Sequence, residues 1–330
     1  MMKAPQRNFL RSATVAAVLV AASQIASAET YPSRPITLIV PFPAGGASDV
    51  IARIVGEHMS RTLGQPIIIE NVGGAGGTIG STRAMRASPD GYTIELGNMG
   101  THGSSVAAYP NLAYKPDVDF APIGLAAGTP MLIVARRDFP AKDLQEFIAY
   151  VRTHTDTLNV SHAGVGSTMF TTCLLLHSIL DVRPTMVAFT GVGAVNALVA
   201  GHVDYACDIV VNSVPQIQSG TIKAYAIAAD ERSTILPNVP TSREAGLPEF
   251  RVSAWNGFFA PKGTPQQVLD RLTDALDKAL DDNRTRDRLL KLGCEVPDKT
   301  KRGQQQLAEL VKSEIARWAP IIKAAGAKAQ

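Results

Sequence analysis

The residues of this 330-residue chain that could do chemistry cluster at glycine-rich turns. Pro41, Phe42, Pro43, Ala44, Gly45 and Gly46 precede Ser48 and Asp49 at the start of an apolar periodic run. Such a turn presents free backbone N–H groups at a helix N-terminus, where the helix dipole favours an anion. Gly45 and Gly46 allow positive φ and close approach by a ligand, and Ser48 or Asp49 can cap the helix. No Lys or Arg lies inside the turn, so neutral dipoles would hold the anion, which suits a carboxylate better than a nucleotide. The pattern recurs at His162, Gly164, Gly166, Ser167 and Thr168, and again at Phe189, Thr190, Gly191 and Gly193. Ser167 or Thr168 can cap a helix and also offer a hydroxyl to an anion.

The rival chemistry is nucleophilic: Ser167 paired with His102 or His162 in a secreted hydrolase. No GxSxG elbow, HExxH pair or SxxK with a following KTG supports it. Asp49 reads as a helix-start residue and Asp208 as a capping or hinge residue, and neither has an evident carboxylate partner for acid–base work. We therefore expect no catalytic residue, no metal and no cofactor.

Strands and helices must position these turns. Ile36–Val40 runs straight into the first turn, and further strands are expected over 66–70, 92–97, 131–135, 158–161, 185–188, 203–208 and 224–229. Helices are expected over 48–63, 141–153, 167–180, 192–200, 265–282 and 303–324. The alternation predicts an α/β protein with largely parallel sheets. In open α/β sheets ligands bind beyond the carboxyl ends of strands, which is where the turns fall. Asn71, Gly73, Gly74, Gly76, Gly77 and Gly80 form another glycine-rich stretch. It satisfies neither GxGxxG nor GxxxxGK[ST], and it reads as a strand exit with close helix packing.

Lys3, Arg7 and Arg11 precede an apolar stretch over 13–25, and Ala26, Ser27 and Ala28 fit an A-x-A cleavage site. Residues 1–28 are thus expected to be a signal peptide, cleaved after Ala28. The full chain carries 32 basic and 29 acidic residues. Loss of three basic residues with the leader brings the mature formal charge to zero, which leaves no nucleic-acid footprint. Cys173, Cys207 and Cys294 are far apart in sequence and lack zinc spacing. Buried thiols are expected, with one disulfide left open.

Several motifs in order then carry a resemblance over essentially the whole mature chain. They are Tyr31 to Pro35, Val40 to Gly46 with Asp49, Glu70 and Asn71 followed by Gly74 to Gly77, and Pro89 to Thr93. They continue through Asp119 to Ile123, Gly164 to Thr168, Pro237 to Thr241 with Glu244 to Pro248, and Phe259 to Pro265. In combination the chain resembles the Bug (TctC-type) receptors, the extracytoplasmic solute-binding components of tripartite tricarboxylate transporters.

The resemblance implies a two-lobed periplasmic binding protein fold, type II-like. Each lobe would be a mainly parallel sheet flanked by helices, with a crossing-strand hinge. Residues 29–125 plus 226–330 would form one lobe and 126–225 the other, with hinges near 123–128 and 223–229. The implied first-lobe ligand contacts are Phe42, Pro43, Ala44, Gly45, Gly46, Ser48, Asp49, Asn98, Thr101 and His102. Those of the second lobe are Gly166, Ser167, Thr168, Phe170, Phe189, Thr190, Gly191 and Asp208. The chain departs from the family pattern at Phe170, where many relatives have His, and at Phe189-Thr190, where Tyr-Lys is common. Phe42, Met169, Phe170 and Phe189 could flank an aromatic ring, so an aromatic carboxylate is the expected ligand; alternatively Phe170 and Phe189 pack behind the turns as core. The implied protein is a monomeric periplasmic receptor, with a tripartite tricarboxylate permease as membrane partner. A carboxylate-sensing adaptor for a membrane kinase is the alternative role.

Overall fold

A computed structural model describes residues 31–190 and 193–326 of the chain. The leader, its cleavage site and Gly191 lie outside the described residues. β1 (Ile36–Val40), α1 (Ala47–Leu63), β2 (Ile67–Asn71), α2 (Thr78–Met85) and β3 (Thr93–Asn98) come first. A π-helical turn at Gly100–Ser104, then α3 (Ser105–Ala108) and α4 (Pro116–Asp119), leads to the long β4 (Phe120–Arg136). Next come α5 (Leu144–His154), β5 (Asn159–His162), α6 (Thr168–Leu180), β6 (Thr185–Ala188) and α7 (Gly193–Val199). They are followed by β7 (Tyr205–Ile209), α8 (Val210–Gln218) and β8 (Ile222–Ile227). β9 (Ser253–Pro261), α9 (Gln266–Asp281), α10 (Asn283–Lys291) and α11 (Gln304–Ala324) complete the order.

Local chemistry sets these boundaries. α1 ends at Gly64, whose φ of 74° lets its N–H return to Ser60 O, a stop that only glycine makes cheaply. α9 buries Leu269, Leu272, Ala275, Leu276, Ala279 and Leu280 at helical spacing and packs on α1 and β4. Trp318 of α11 is fully buried, and its indole N–H donates to Glu314 Oε2 at 2.8 Å, so the ring enters the core without an orphaned donor. Cys173, Cys207 and Cys294 are buried free thiols. Among the described residues no helix is long and apolar enough to cross a membrane.

The sheet runs β2-β1-β3-β9-β4-β7-β5-β6, with β8 pairing on β4. β1 pairs parallel with β2 and β3, and β5 pairs parallel with β6 and β7. The ladders between β3 and β9, and between β4 and β9, β7 and β8, are antiparallel. Each half is therefore mixed rather than mainly parallel. β4 joins the halves: Phe120 to Pro130 pair with β9, and from Met131 onward the strand pairs with β7 and β8. Ala228, just past β8, donates its N–H to Met131 O at that same point. The expected hinge stretch 123–128 lies inside the β4–β9 ladder, and the change of partner comes at Pro130–Met131.

Candidate ligand site

Two helix N-termini meet at one cavity. Gly46, Ala47 and Ser48 open α1, and Ser167, Thr168 and Met169 open α6. Together with Phe42, Asn98, Ala163, Ile209 and Asn212 they line a cavity of about 40 Å³. No lining residue carries a formal charge, and the start of α8, at Ile209 and Asn212, adds a third helix N-terminus to those of α1 and α6, so positive helix ends face the space.

The first turn is rigid. Asp49 Oδ2 accepts from Gly45 N–H at 2.9 Å and from Arg53 Nε at 3.0 Å, while Oδ1 accepts from Asn71 Nδ2 at 2.9 Å. Asn71 also donates to Phe42 O at 3.0 Å. Burial opposes the Asp49 charge, but these donors outweigh it and hold the carboxyl below its ordinary range. Asp49 therefore braces the turn from behind, and Arg53 neutralises it. Pro43, Ala44 and Gly45 shape the turn without lining the cavity.

Ser48 does not cap its own helix. Its hydroxyl donates to Asn256 Oδ1 of β9 at 3.0 Å. Asn98 Oδ1 accepts from the N–H groups of Gly100 and Thr101 at 2.9 and 3.1 Å, fixing the π-helical turn that follows β3. Thr101 and His102, both within that turn, are fully buried and do not line the cavity. Thr101 Oγ1 bonds His102 Nδ1 at 2.9 Å, and the imidazole stacks on Phe259 with centroids 4.0 Å apart. Burial pushes the His102 pKa down to about 3.

On the opposite wall, Gly164 and Gly166 adopt φ of 103° and 74°. Ser167 Oγ accepts from Phe170 N–H at 3.3 Å as the α6 cap. The two walls touch directly. Gly100 N–H donates to Thr168 Oγ1 at 3.2 Å, Ser104 Oγ to Gly166 O at 2.9 Å, and Tyr109 OH to Val165 O at 2.8 Å. Gly76 packs so closely that a Cβ there would lie 2.0 Å from Val165 O. The glycine-rich 71–80 segment thus forms part of the seam between the walls as well as packing locally.

Of the expected site residues, Phe42, Gly46, Ser48, Asn98, Ser167 and Thr168 line this one cavity. Phe170 joins the hydrophobic core and lines a different hollow with Leu174 and His177. Phe189 is half-buried, Thr190 is exposed, and neither lines the cavity. Asp208 is fully buried, and its Oδ1 and Oδ2 accept from Asn212 Nδ2 at 3.1 Å and Ser213 Oγ at 2.6 Å. Burial raises its pKa against those two donors. Asn212 and Asn256 escaped the sequence reading. Asn212 follows β7 at a strand's carboxyl end, which was a usable signal; Asn256 sits mid-strand and gave none. His162 Nδ1 accepts from Gly164 N–H at 3.1 Å, so both histidines of the hydrolase reading are engaged elsewhere. A larger groove of about 740 Å³ lies between α2 and residues 109–113, but neither helix N-terminus of the cavity lines it.

A family profile described as the tripartite tricarboxylate transporter family receptor (TctC) matches residues 51–327. MatC of Rhodopseudomonas palustris, solved with bound malate, is 52% identical, with a TM-score of 0.86 over 88% of this chain and 100% of that one. The periplasmic binding protein BugD is 40% identical, with a TM-score of 0.86 over 91% of this chain and 100% of that one. Another R. palustris protein, solved with adipate, is 29% identical, with a TM-score of 0.85 over 91% of this chain and 100% of that one. The fold is that of the two-lobed periplasmic binding proteins.

Proposed function

The chain belongs to the TctC family of tripartite tricarboxylate transporter receptors, and from that premise we propose that it captures a small organic dicarboxylate in the periplasm and hands it to a membrane permease. The observation that carries this is the uncharged cavity bounded by two helix N-termini, one on each wall. Each end can hold one carboxylate through backbone N–H groups. In this reading 1–28 are removed after Ala28, 29–125 with 226–330 form one lobe and 126–225 the other. The flexing point is the partner change at Pro130–Met131 with its neighbour Ala228. It is a receptor without enzymatic activity.

The ligand class follows from the walls. Of four side chains that could flank a ring, Phe42 and Met169 line the cavity, while Phe170 packs in the core. That favours an aliphatic dicarboxylate over an aromatic acid. The malate in a 52% identical neighbour and the adipate in a more distant one support the same choice. A thermal-shift panel of malate, succinate, adipate, citrate, benzoate and phthalate tests it, because a ligand of the native state raises the melting temperature. Malate or a close aliphatic relative is expected to give the largest rise. Stabilisation by the aromatic acids alone would overturn the aliphatic choice, and stabilisation by none would overturn the carboxylate reading.

A further inference from the structure

Asn212 stands at the first turn of α8, on the wall opposite α1, yet its Oδ1 accepts from Ala47 N–H at 3.1 Å. Ala47 is the first residue of α1, so this N–H is one of the donors a bound anion would use. The orientation of the amide is not arbitrary. Asn212 Nδ2 donates to Asp208 Oδ1 at 3.1 Å, and Asp208 is itself fixed by Ser213 Oγ at 2.6 Å. With the nitrogen committed to that carboxylate, the oxygen must face the helix end. A neutral carbonyl oxygen thus occupies the position of a ligand carboxylate oxygen, reaching across the cavity from the far wall.

We propose that Asn212 is a built-in stand-in for the ligand, which sets the threshold a carboxylate must exceed to enter the site. The proposal rests on the carboxylate reading above. In the unliganded protein the Asn212–Ala47 bond ties the two walls together. A carboxylate brings a full negative charge to the same N–H, forms the stronger charge-assisted bond and displaces the amide. The tie exists only in the unliganded closed form, so it lowers apparent affinity by the share of molecules held in that form. Asp208 acts through Asn212 as a positioning residue.

The test is Asn212→Ala, with Asn212→Leu as a near-isosteric second variant that keeps the packing should the smaller side chain impair folding. Two readouts are taken. Small-angle scattering of the unliganded protein should show a larger radius of gyration in the variants than in wild type. Calorimetry with malate as the probe should show affinity raised about two- to ten-fold, the range of one net hydrogen bond. An unchanged unliganded radius overturns the proposal. So does weaker malate binding, which would make Asn212 an ordinary ligand contact, and so does unchanged affinity. Failure of wild type to bind any acid would overturn the carboxylate reading instead, while the radius, which needs no ligand, still reports on the tie.

Discussion

Ser167 is the residue at which a single charge separates ligand binding from folding. Its Oγ caps α6 by accepting from Phe170 N–H, and the residue also lines the cavity. Aspartate is as good an N-cap as serine, so Ser167→Asp keeps the cap while adding a negative charge at the proposed carboxylate position. We expect malate affinity to fall more than tenfold with little change in melting temperature; calorimetry showing retained affinity would remove the α6 end from the site. Glu95 poses a different question, deep behind the first wall. It is fully buried, Oε1 accepts from Ser81 Oγ at 2.6 Å, and Oε2 lies 3.9 Å from His102 Nε2. Burial pushes its pKa up to about 8, with Ser81 opposing, and pushes His102 down to about 3. At neutral pH both are then uncharged. Because Glu95 holds its proton more tightly folded than unfolded, its share of stability is complete below about pH 4.3 and is lost as pH rises towards 8. For His102, held neutral, stability is lost as pH falls below about 6.5 towards 3. Glu95→Gln keeps a carbonyl oxygen for Ser81 and cannot titrate. Melting curves from pH 5 to 8 should therefore decline less in the variant than in wild type. Parallel declines would mean that Glu95 ionises in the folded protein without penalty.

At the scale of elements, the 163–168 turn seats on Gly76, and that seat needs a missing side chain. An added Cβ would meet the Val165 carbonyl at 2.0 Å, a backbone atom that cannot swing aside. Gly76→Ala should hold the walls apart, enlarging the scattering radius and weakening malate binding at least tenfold. Its φ of 63° adds left-handed strain of about 1 kcal/mol, so a control is needed. Gly64→Ala supplies it: φ is 74° there and nothing lies within 4 Å of the new Cβ. The control should lower the melting temperature and leave binding alone; matching losses of affinity in both variants would reduce the Gly76 effect to strain. The same scale shows what the sequence could express. β1 into α1 and β5 into α6 were legible, because apolar strand, glycine turn and capped helix are contiguous in the chain. β9 and the first half of β4 were not. Pro122, Gly124, Gly128 and Pro130 punctuate one, and Asn256 and Gly257 interrupt the other. They are strands because they pair with each other, Phe120 with Pro261 and Pro130 with Ser253, with bulges absorbing the irregularities. Such non-local pairing leaves little local pattern. Phe170 is open between cleft and core in the sequence for a related reason: a helix's first turn has both a cleft side and a core side, and residue type alone does not choose between them; the packing puts it in the core.

For the whole molecule, the question is how a cavity of about 40 Å³ admits a ligand. That is far below the several hundred Å³ of a usual small-molecule pocket; on the proposed function, the walls part for entry and close again around the acid. The sheet allows this without refolding. β4 is continuous through Met131 and its partners change there, so in the proposed motion the β9 side turns against the β7–β8 side about that strand with the ladders kept. In that motion the seam bonds from Gly100, Ser104 and Tyr109 to the 165–168 turn break and re-form, and the Ala47–Asn212 bond breaks with them. Hydrogen exchange should report the difference. On adding malate, amides of 45–48, 100–101 and 164–170 should gain protection, and those flanking Pro130–Met131 and Ala228 should change rate. Amides inside the β1–β2 and β5–β6 ladders should keep theirs, apart from the uniform gain that ligand binding gives any globally unfolding amide. Far-UV circular dichroism should stay constant throughout. Protection gained evenly over the whole chain, with no excess at the two turns or the crossing point, would mean that malate stabilises the fold without moving the lobes.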